Sequence, residues 1–355
     1  MIAHSRDASL PRLGFASILT LVLVVLAALF VYKWSGALRV VGVVRSAGMY
    51  EPSSEIIPTA GLPLLAASGA KTINYLAVIW PALIFGVLIA GLVRAFVSPG
   101  HVVRLLGSGV IRQQLLAGAI GMPLMLCSCC IAPVFSSVRA RGVPLGASLA
   151  LMFSSPSLNV AALILTFMLF PLDVALARAV MAAFAVFVLP VLIERGVGGN
   201  LYTGPHRGET YSLEGFDAGG PIPVLRNWAL SLGKVAVQTL PWIVLGVFAS
   251  SVLGGSLEHT ESHWPNLGLT IALVAAFATL MALPTFFEIP LSLLLLQNGF
   301  PPAAVVPILF AGPAINTPSL LTLARISSSK VAFAAFLGVW LTATLGGLSL
   351  AFWRM

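Results

Sequence analysis

The feature that most constrains this chain is the recurrence of apolar stretches long enough to cross a lipid bilayer. A helix needs about 20 apolar residues to span the hydrocarbon layer, and residues 13–34, 172–193 and 331–353 each supply such a stretch. Hydrophobic residues make up 59% of the chain and charged residues only 8%, whereas a soluble globular domain carries about 25% charged residues. The sequence therefore predicts an all-α polytopic membrane protein that lies in a lipid bilayer.

The charge distribution indicates orientation. Lys and Arg number 19 against 11 acidic residues, and most of the excess lies in short loops between apolar stretches, as is typical of cytoplasmic loops. We therefore expect the N-terminus, the 94–112 loop and the 195–226 linker to be cytoplasmic, and no nucleic acid to bind. Arg178 and Lys234 lie near the ends of predicted spans, so we expect their charged ends to reach the membrane surface.

The apolar stretch 113–138 is predicted to be a re-entrant hairpin. Arg112 precedes it and Arg139 and Arg141 follow it, so a single crossing would place basic residues on both sides of the membrane. A segment that enters and returns keeps them all in the cytoplasm. Hairpins of this kind are tolerated only where they are buried in protein or line a cavity.

The second half of the chain repeats the first at a spacing of 157 residues. This shift aligns Pro133 with Pro290, Pro156 with Pro313, and Asn159 with Asn316. The charge pattern gives the two halves opposite orientations, so we predict two inverted repeats with broken or re-entrant helices and one extra N-terminal span. Inverted repeats interrupted by Pro and Gly are typical of secondary transporters, whose binding site lies near the bilayer midplane.

The repeat predicts four parts of the chain and the prolines that interrupt its helices. The parts are an N-terminal anchor span with a periplasmic insert (1–71), a first transmembrane repeat (72–194), a cytoplasmic linker (195–226) and a second transmembrane repeat (227–355). The predicted breaks or hinges are Pro123, Pro133, Pro156, Pro284, Pro290 and Pro313.

The three cysteines of the chain lie within four positions, at Cys127, Cys129 and Cys130. Thiolates select soft partners such as Cu(I), Zn(II) or trivalent arsenic, whereas a buried cysteine can also be an ordinary small hydrophobic residue. Their clustering between two hairpin prolines makes them, with Ser128, candidate substrate ligands. Simple packing is the alternative, and the sequence does not indicate a particular metal.

Three further polar residues are candidates for the same site. Glu288 lies deep in the second-half hairpin, and an ionised carboxylate at the bilayer centre costs at least about 2.5–3.5 kcal/mol. We therefore expect Glu288 to face the cysteines and to carry a coupling proton, with a hydrogen bond to hairpin backbone as the alternative. Asn159 and Asn316 either cap half-helices or bind substrate.

Other functional classes find less support. The chain has no P-loop, no Gly-rich dinucleotide motif and no HExxH motif, so neither ATP hydrolysis nor zinc proteolysis is predicted. We expect a carrier of a small molecule or ion rather than an enzyme, with no cofactor. Two alternatives stay open: a membrane thiol oxidoreductase or metal-handling protein, and the membrane subunit of a larger complex docked through residues 195–223. The oligomeric state is not indicated.

Several motifs resemble those of the ArsP/YraQ-type predicted permeases. They are PLMLCSCCIAP at 123–133, RGVPLGAS at 141–148 and SSPSLN at 154–159, with LPTFFEIP at 283–290 and AGPAIN at 311–316 in the second half. The family commonly has Gly where this chain has Cys130, and many relatives have Cys-Ser-Glu where it has Phe286, Phe287 and Glu288. The resemblance covers roughly residues 72–350. It implies a multi-pass permease of the bacterial inner membrane that exports a soft, thiol-reactive solute such as an organoarsenical or a metal or sulfur species.

Overall fold

The structure, a computed structural model, describes residues 12–47, 56–59, 61–96, 110–197, 221–257, 266–283, 287–297 and 300–354. The regular elements in these ranges are helical, and no strand occurs in them. The α-helices are α1 (Arg12–Ala47), α2 (Leu64–Phe96), α3 (Val110–Gly121), α4 (Ser128–Ala140), α5 (Leu145–Ser157), α6 (Val160–Leu169), α7 (Leu172–Phe187), α8 (Leu189–Val197), α9 (Pro221–Leu257), α10 (Leu267–Leu280), α11 (Glu288–Gln297), α12 (Pro302–Ala314), α13 (Thr317–Ile326) and α14 (Ser329–Trp353).

The helix lengths confirm the prediction of a polytopic all-α membrane protein. Within the described ranges, four segments are long and apolar enough to cross a bilayer: Leu64–Val93, Leu172–Val197, Leu225–Ala249 and Ser329–Trp353. Two bent helix pairs, α5 with α6 and α12 with α13, raise the number to six if each pair is one span.

Helices enter the predicted periplasmic insert from both sides. The helix α1 continues to Ala47, and α2 begins at Leu64 rather than near residue 72. Residues 36–47 contain no proline and are largely apolar, so nothing in that sequence ends α1. The described apolar part of α1, Thr20–Gly36, is shorter than a full crossing.

The helix boundaries recur at the spacing of the sequence repeat. Adding 157 to the bounds of α5 and α6 gives the bounds of α12 and α13, and α14 begins 157 residues after α7. The α5–α6 pair is bent by 43° and the α12–α13 pair by 44°. In each pair a proline lies close to the end of the first helix, and an asparagine caps the second. The same local sequence therefore produces the same bend twice.

The two halves pack into each other, with α5 and α12 at the centre. Both of these helices are buried on nearly all sides, as expected of helices that are apolar around their whole circumference. Helix α3 packs on α5 as α10 packs on α12, while α2 packs along α9 and α7 along α14. Contacts between the halves therefore form much of the core.

The long helices α2 and α9 have different neighbours, although they occupy matching places in the repeat. Helix α2 packs on α4, where Gly86 faces the backbone of Cys130 with no space for a Cβ atom. Helix α9 packs on α13, where Gly246 lies against the backbone of Pro318 in the same way. Glycine allows this close backbone approach in both halves, but to different helices.

Candidate functional site

Cys127 ends a short non-helical loop between a 3₁₀ turn, Met122–Leu124, and α4, and Cys129 and Cys130 lie in the first turn of α4. Pro123 lies in the 3₁₀ turn, and Met125 adopts a left-handed backbone conformation with φ 47°. Such a conformation costs about 1–3 kcal/mol in a residue other than glycine and is common at functional sites. Sequence reasoning correctly predicted a chain break here, while the predicted side of the membrane for each flank stays a prediction.

Ser155 of α5 anchors this loop. Its Oγ accepts a hydrogen bond from the Leu126 amide at 2.9 Å and donates one to the Leu126 carbonyl at 3.2 Å. Both backbone groups of Leu126 are therefore satisfied, although the residue is buried and not helical. Because unpaired backbone groups are costly away from water, this single hydroxyl stabilises the conformation that presents Cys127.

The three thiols converge at the start of α4. The Sγ atoms of Cys127 and Cys129 are 3.2 Å apart, those of Cys129 and Cys130 are 3.9 Å apart, and all three lie within 4.8 Å of one another. All three cysteines are buried and form no disulfide. Three sulfurs bound to one ion at about 2.3 Å would lie about 4 Å apart. This donor set therefore suits a single soft centre.

Ser128 and Pro133 complete the description of α4. Ser128 is the first residue of the helix and is buried. The prediction that Pro133 breaks the helix is wrong, because α4 continues through it to Ala140. A proline in this position has no N–H to give to the carbonyl of Cys129, so α4 lacks this one helical hydrogen bond beside the thiols.

Tyr75 of α2 connects the thiols with the second half of the chain. Its buried hydroxyl lies 3.5 Å from Cys129 Sγ and 3.4 Å from the carbonyl oxygen of Leu283. Leu283 follows α10 and lies five residues before Glu288. Sequence reasoning missed Tyr75, although a phenolic hydroxyl in an apolar span needs a buried partner.

Glu288 is buried at the first position of α11 and pairs with Arg178 of α7. Arg178 Nη2 donates to Glu288 Oε1 at 3.1 Å, and Nη1 donates to Thr166 Oγ1 of α6. The side chain of Arg178 is 1% exposed, so the prediction that it extends to the membrane surface is wrong. It lies six residues into the span that begins at Leu172, about 9 Å along the helix axis, and faces the protein interior.

The two asparagines cap helices. Asn159 Oδ1 accepts hydrogen bonds from the amides of Ala161 and Ala162 at the start of α6. Asn316 forms a reciprocal capping box with Ser319 at the start of α13. Of the two predicted roles, capping is the one the structure contains, and substrate contact by either amide stays a prediction.

The remaining predicted hinge prolines differ in their surroundings. Pro156 and Pro313 lie in the last turns of α5 and α12, directly before the two bends. Pro290 lies in the first turn of α11, where a helix tolerates proline because the first amides have no helical partner. Pro284 lies outside the described residues.

An apolar cavity of about 490 Å³ opens beside the loop. It is lined by residues of the 3₁₀ turn, the α5–α6 break and α6: Met122, Leu158, Val160, Leu163, Ile164, Phe167 and Met168. Its walls suit an organic group rather than a bare ion.

A family model described as a predicted permease matches residues 69–211, the segment that carries the cysteine loop. The UPF0718 protein YraQ of Escherichia coli is 27% identical over 345 residues, covering 93% of this chain and 94% of that protein. The family model and this relative confirm the resemblance to the predicted permeases stated above. They support a membrane transporter.

Two further relatives match smaller shares of the chain. The UPF0718 protein MJ0584 of Methanocaldococcus jannaschii is 21% identical over 69% of this chain and 84% of its own length. The UPF0718 protein YcgR of Bacillus subtilis is 29% identical over 90 residues, which cover 25% of this chain and 31% of that protein. No solved structure matches the chain.

Proposed function

We propose that this permease transports soft, thiol-reactive small solutes out of the cell across the bacterial inner membrane, with organic trivalent arsenicals as the class that the family resemblance implies. The observation that carries the proposal is the convergence of three buried thiols whose sulfurs lie within 4.8 Å of one another. In a chain with no other cysteine, packing alone does not require that all of them meet at one break between helices.

The chemistry of binding follows from these thiols. An arsonous acid carries two hydroxyl groups on arsenic. When the thiol of Cys127 attacks, an As–S bond forms, an As–O bond breaks, and the hydroxyl leaves with the thiol proton as water. Cys129, whose sulfur is 3.2 Å away, displaces the second hydroxyl in the same way. Cys130 offers a third sulfur that can exchange with a bound one. Release reverses the binding step: water adds to arsenic, each As–S bond breaks, and each cysteine regains its thiol proton.

The apolar cavity beside the loop supports an organic cargo. Met122, in the turn that precedes the cysteine loop, forms part of its wall with Phe167 and Met168. Aromatic and thioether side chains provide favourable contacts for an aryl group. We therefore infer that the arsenic binds the thiols and that its organic substituent contacts this wall.

Coupling to a proton is the second part of the proposal. Glu288 belongs to the second repeat and Arg178 to the first, so their ion pair joins the halves that must move relative to each other during transport. Removing one charge of a buried pair leaves the other uncompensated. A proton on Glu288 cancels one of the two charges, and this allows the pair to open.

Counterflow in proteoliposomes that contain only the purified chain tests the proposal. Labelled phenylarsonous acid should enter vesicles preloaded with the unlabelled compound, and the Cys127→Ser/Cys129→Ser double variant should lose this exchange while remaining folded. Ser148→Ala, a change of one buried atom in α5, serves as the control and should exchange at the wild-type rate. Full exchange by the double variant would assign the thiols to packing, and redox turnover with a quinone or thiol partner but no transport would support the oxidoreductase alternative.

A further inference from the structure

Arg178 is a buried cation with donor capacity that its neighbours do not use. Its two Nη atoms donate to Thr166 and Glu288, while its Nε has no hydrogen-bond partner among the described residues. The guanidinium keeps its charge in proteins and binds carboxylate-like groups through two parallel hydrogen bonds. A buried arginine with an unsatisfied Nε is therefore suited to an additional anionic group.

The described helices packed around Arg178 and Glu288 carry no other charged side chain in their middle turns. Helices α5, α6 and α12, which pack around the pair, contain no titratable residue in their sequences. The titratable residues of α7 itself and of the other helices packed against it lie toward helix ends: Arg112, Asp173, Glu194, Arg195 and Lys330. A change of charge at Arg178 or Glu288 must therefore be balanced by the partner, the cargo or a proton.

We propose that Arg178 binds an anionic group of the cargo in place of Glu288, and that Glu288 takes up one proton when it is displaced. The cargo class that fits is a thiophilic solute with a carboxylate or similar anion, such as a carboxylated aryl arsonous acid. This inference rests on the proposed function, because the thiols supply the other point of attachment. The empty pair and the loaded site then carry the same net charge of zero.

The position of the pair supports a shared binding site. Tyr75 contacts Cys129 on one side and the carbonyl of Leu283 on the other, and the chain reaches Glu288 five residues later. The thiols therefore lie close to Leu283, which is five positions from Glu288 in the chain. Because cargo anion and proton bind together, loaded and empty carriers are both electroneutral, and transport of the anion responds to the pH difference across the membrane as well as to the gradient of the cargo.

Two probes that differ only in charge test the inference on the purified full-length protein. They are phenylarsonous acid, which is neutral, and its 4-carboxy derivative, which is anionic at pH 7. Titration calorimetry in two buffers of different ionisation enthalpy gives the affinity and the number of protons taken up. Thiol exchange with arsenic releases water and no net proton. We therefore expect wild type to take up about one more proton with the carboxylated probe than with the neutral one.

Substitutions of the pair give opposite results for the two probes. Glu288→Gln leaves the Arg178 cation buried, and only the carboxylated probe can neutralise it. The ratio of this variant's affinity for the carboxylated probe to that for the neutral probe should therefore rise about tenfold or more. The additional proton taken up with the carboxylated probe should disappear. The double variant Arg178→Gln/Glu288→Gln removes both charges at similar volume. Its affinity for the carboxylated probe relative to the neutral probe should fall roughly 10- to 100-fold from the wild-type ratio.

The control is the exposed ion pair of the same helix. Asp173 of α7 pairs with Arg354, and Asp173→Asn/Arg354→Gln makes the same charge change at the surface, so both probes should bind as in wild type. Equal affinity and equal proton uptake for the two probes in wild type would overturn this inference alone. Loss of both probes in the Arg178/Glu288 double variant would show a structural pair and also overturn it. Failure of wild type to bind either probe would overturn the proposed function and this inference with it.

Discussion

Removing the hydroxyl of Ser155 should open the cysteine loop. In the folded protein this oxygen accepts from the amide of Leu126 and donates to its carbonyl, and both residues are fully buried. Ser155→Ala keeps the helix and most of the volume but leaves one backbone donor and one acceptor without a partner. In the open loop both groups are hydrated, so the substitution destabilises only the closed form.

The size of the effect follows from the two lost hydrogen bonds. Each buried group left unsatisfied costs about 1–3 kcal/mol, so the free energy of loop opening should fall by about 2–6 kcal/mol. Since each 1.4 kcal/mol corresponds to a factor of ten, the open fraction should rise roughly 30- to 20,000-fold. The labelling rate of Cys127 should rise by the same factor as long as the loop closes faster than the reagent reacts.

Stopped-flow labelling of the detergent-purified protein with a small maleimide measures this rate. The matched control is Ser154→Ala, because Ser154 is equally buried but its hydroxyl bonds only the carbonyl of Leu151 in its own helix. We expect the control to label within about threefold of wild type, because its substitution should change the free energy of loop opening by well under 1.4 kcal/mol. A wild-type rate in Ser155→Ala, or an equal increase in both variants, would refute the reasoning that this hydroxyl holds the loop.

Three further predictions concern coupling, packing and topology. Glu288→Gln should retain exchange but lose accumulation driven by a pH gradient in proteoliposomes, and gradient-driven transport at the wild-type level would contradict the coupling role. Gly86→Ala forces α2 away from the backbone of α4 and should cost about 1–3 kcal/mol, whereas Gly233→Ala meets no atom within 4 Å and should stabilise by up to about 1 kcal/mol. Thermal unfolding compares the two, and equal shifts would contradict the close approach. Single cysteines at Arg112 and Arg141, in a chain without native cysteines, should label from the cytoplasmic side, and labelling from opposite sides would contradict the hairpin.

The sequence alone was sufficient to predict the helical class, the multiple spans and the chain break at the cysteines. These features depend on residues that are close in the chain. The length of an apolar stretch sets whether a helix can cross the membrane, and an Asn three residues after a Pro ends one helix and caps the next at both 159 and 316. The three thiols were also predictable as a cluster, because they occupy neighbouring positions at one break.

Only the tertiary structure decided which of these residues meet. Arg178 and Glu288 are 110 positions apart in the chain, and Leu126 and Ser155 are 29 positions apart, so no local pattern specifies either contact. Each depends on how a helix is rotated and packed, which the whole set of neighbouring helices determines. Arg178 was expected near a span end, but α7 packs against α12 and α6 so that this side chain faces the protein interior. A buried charge can remain there because an opposite charge from the other repeat reaches it.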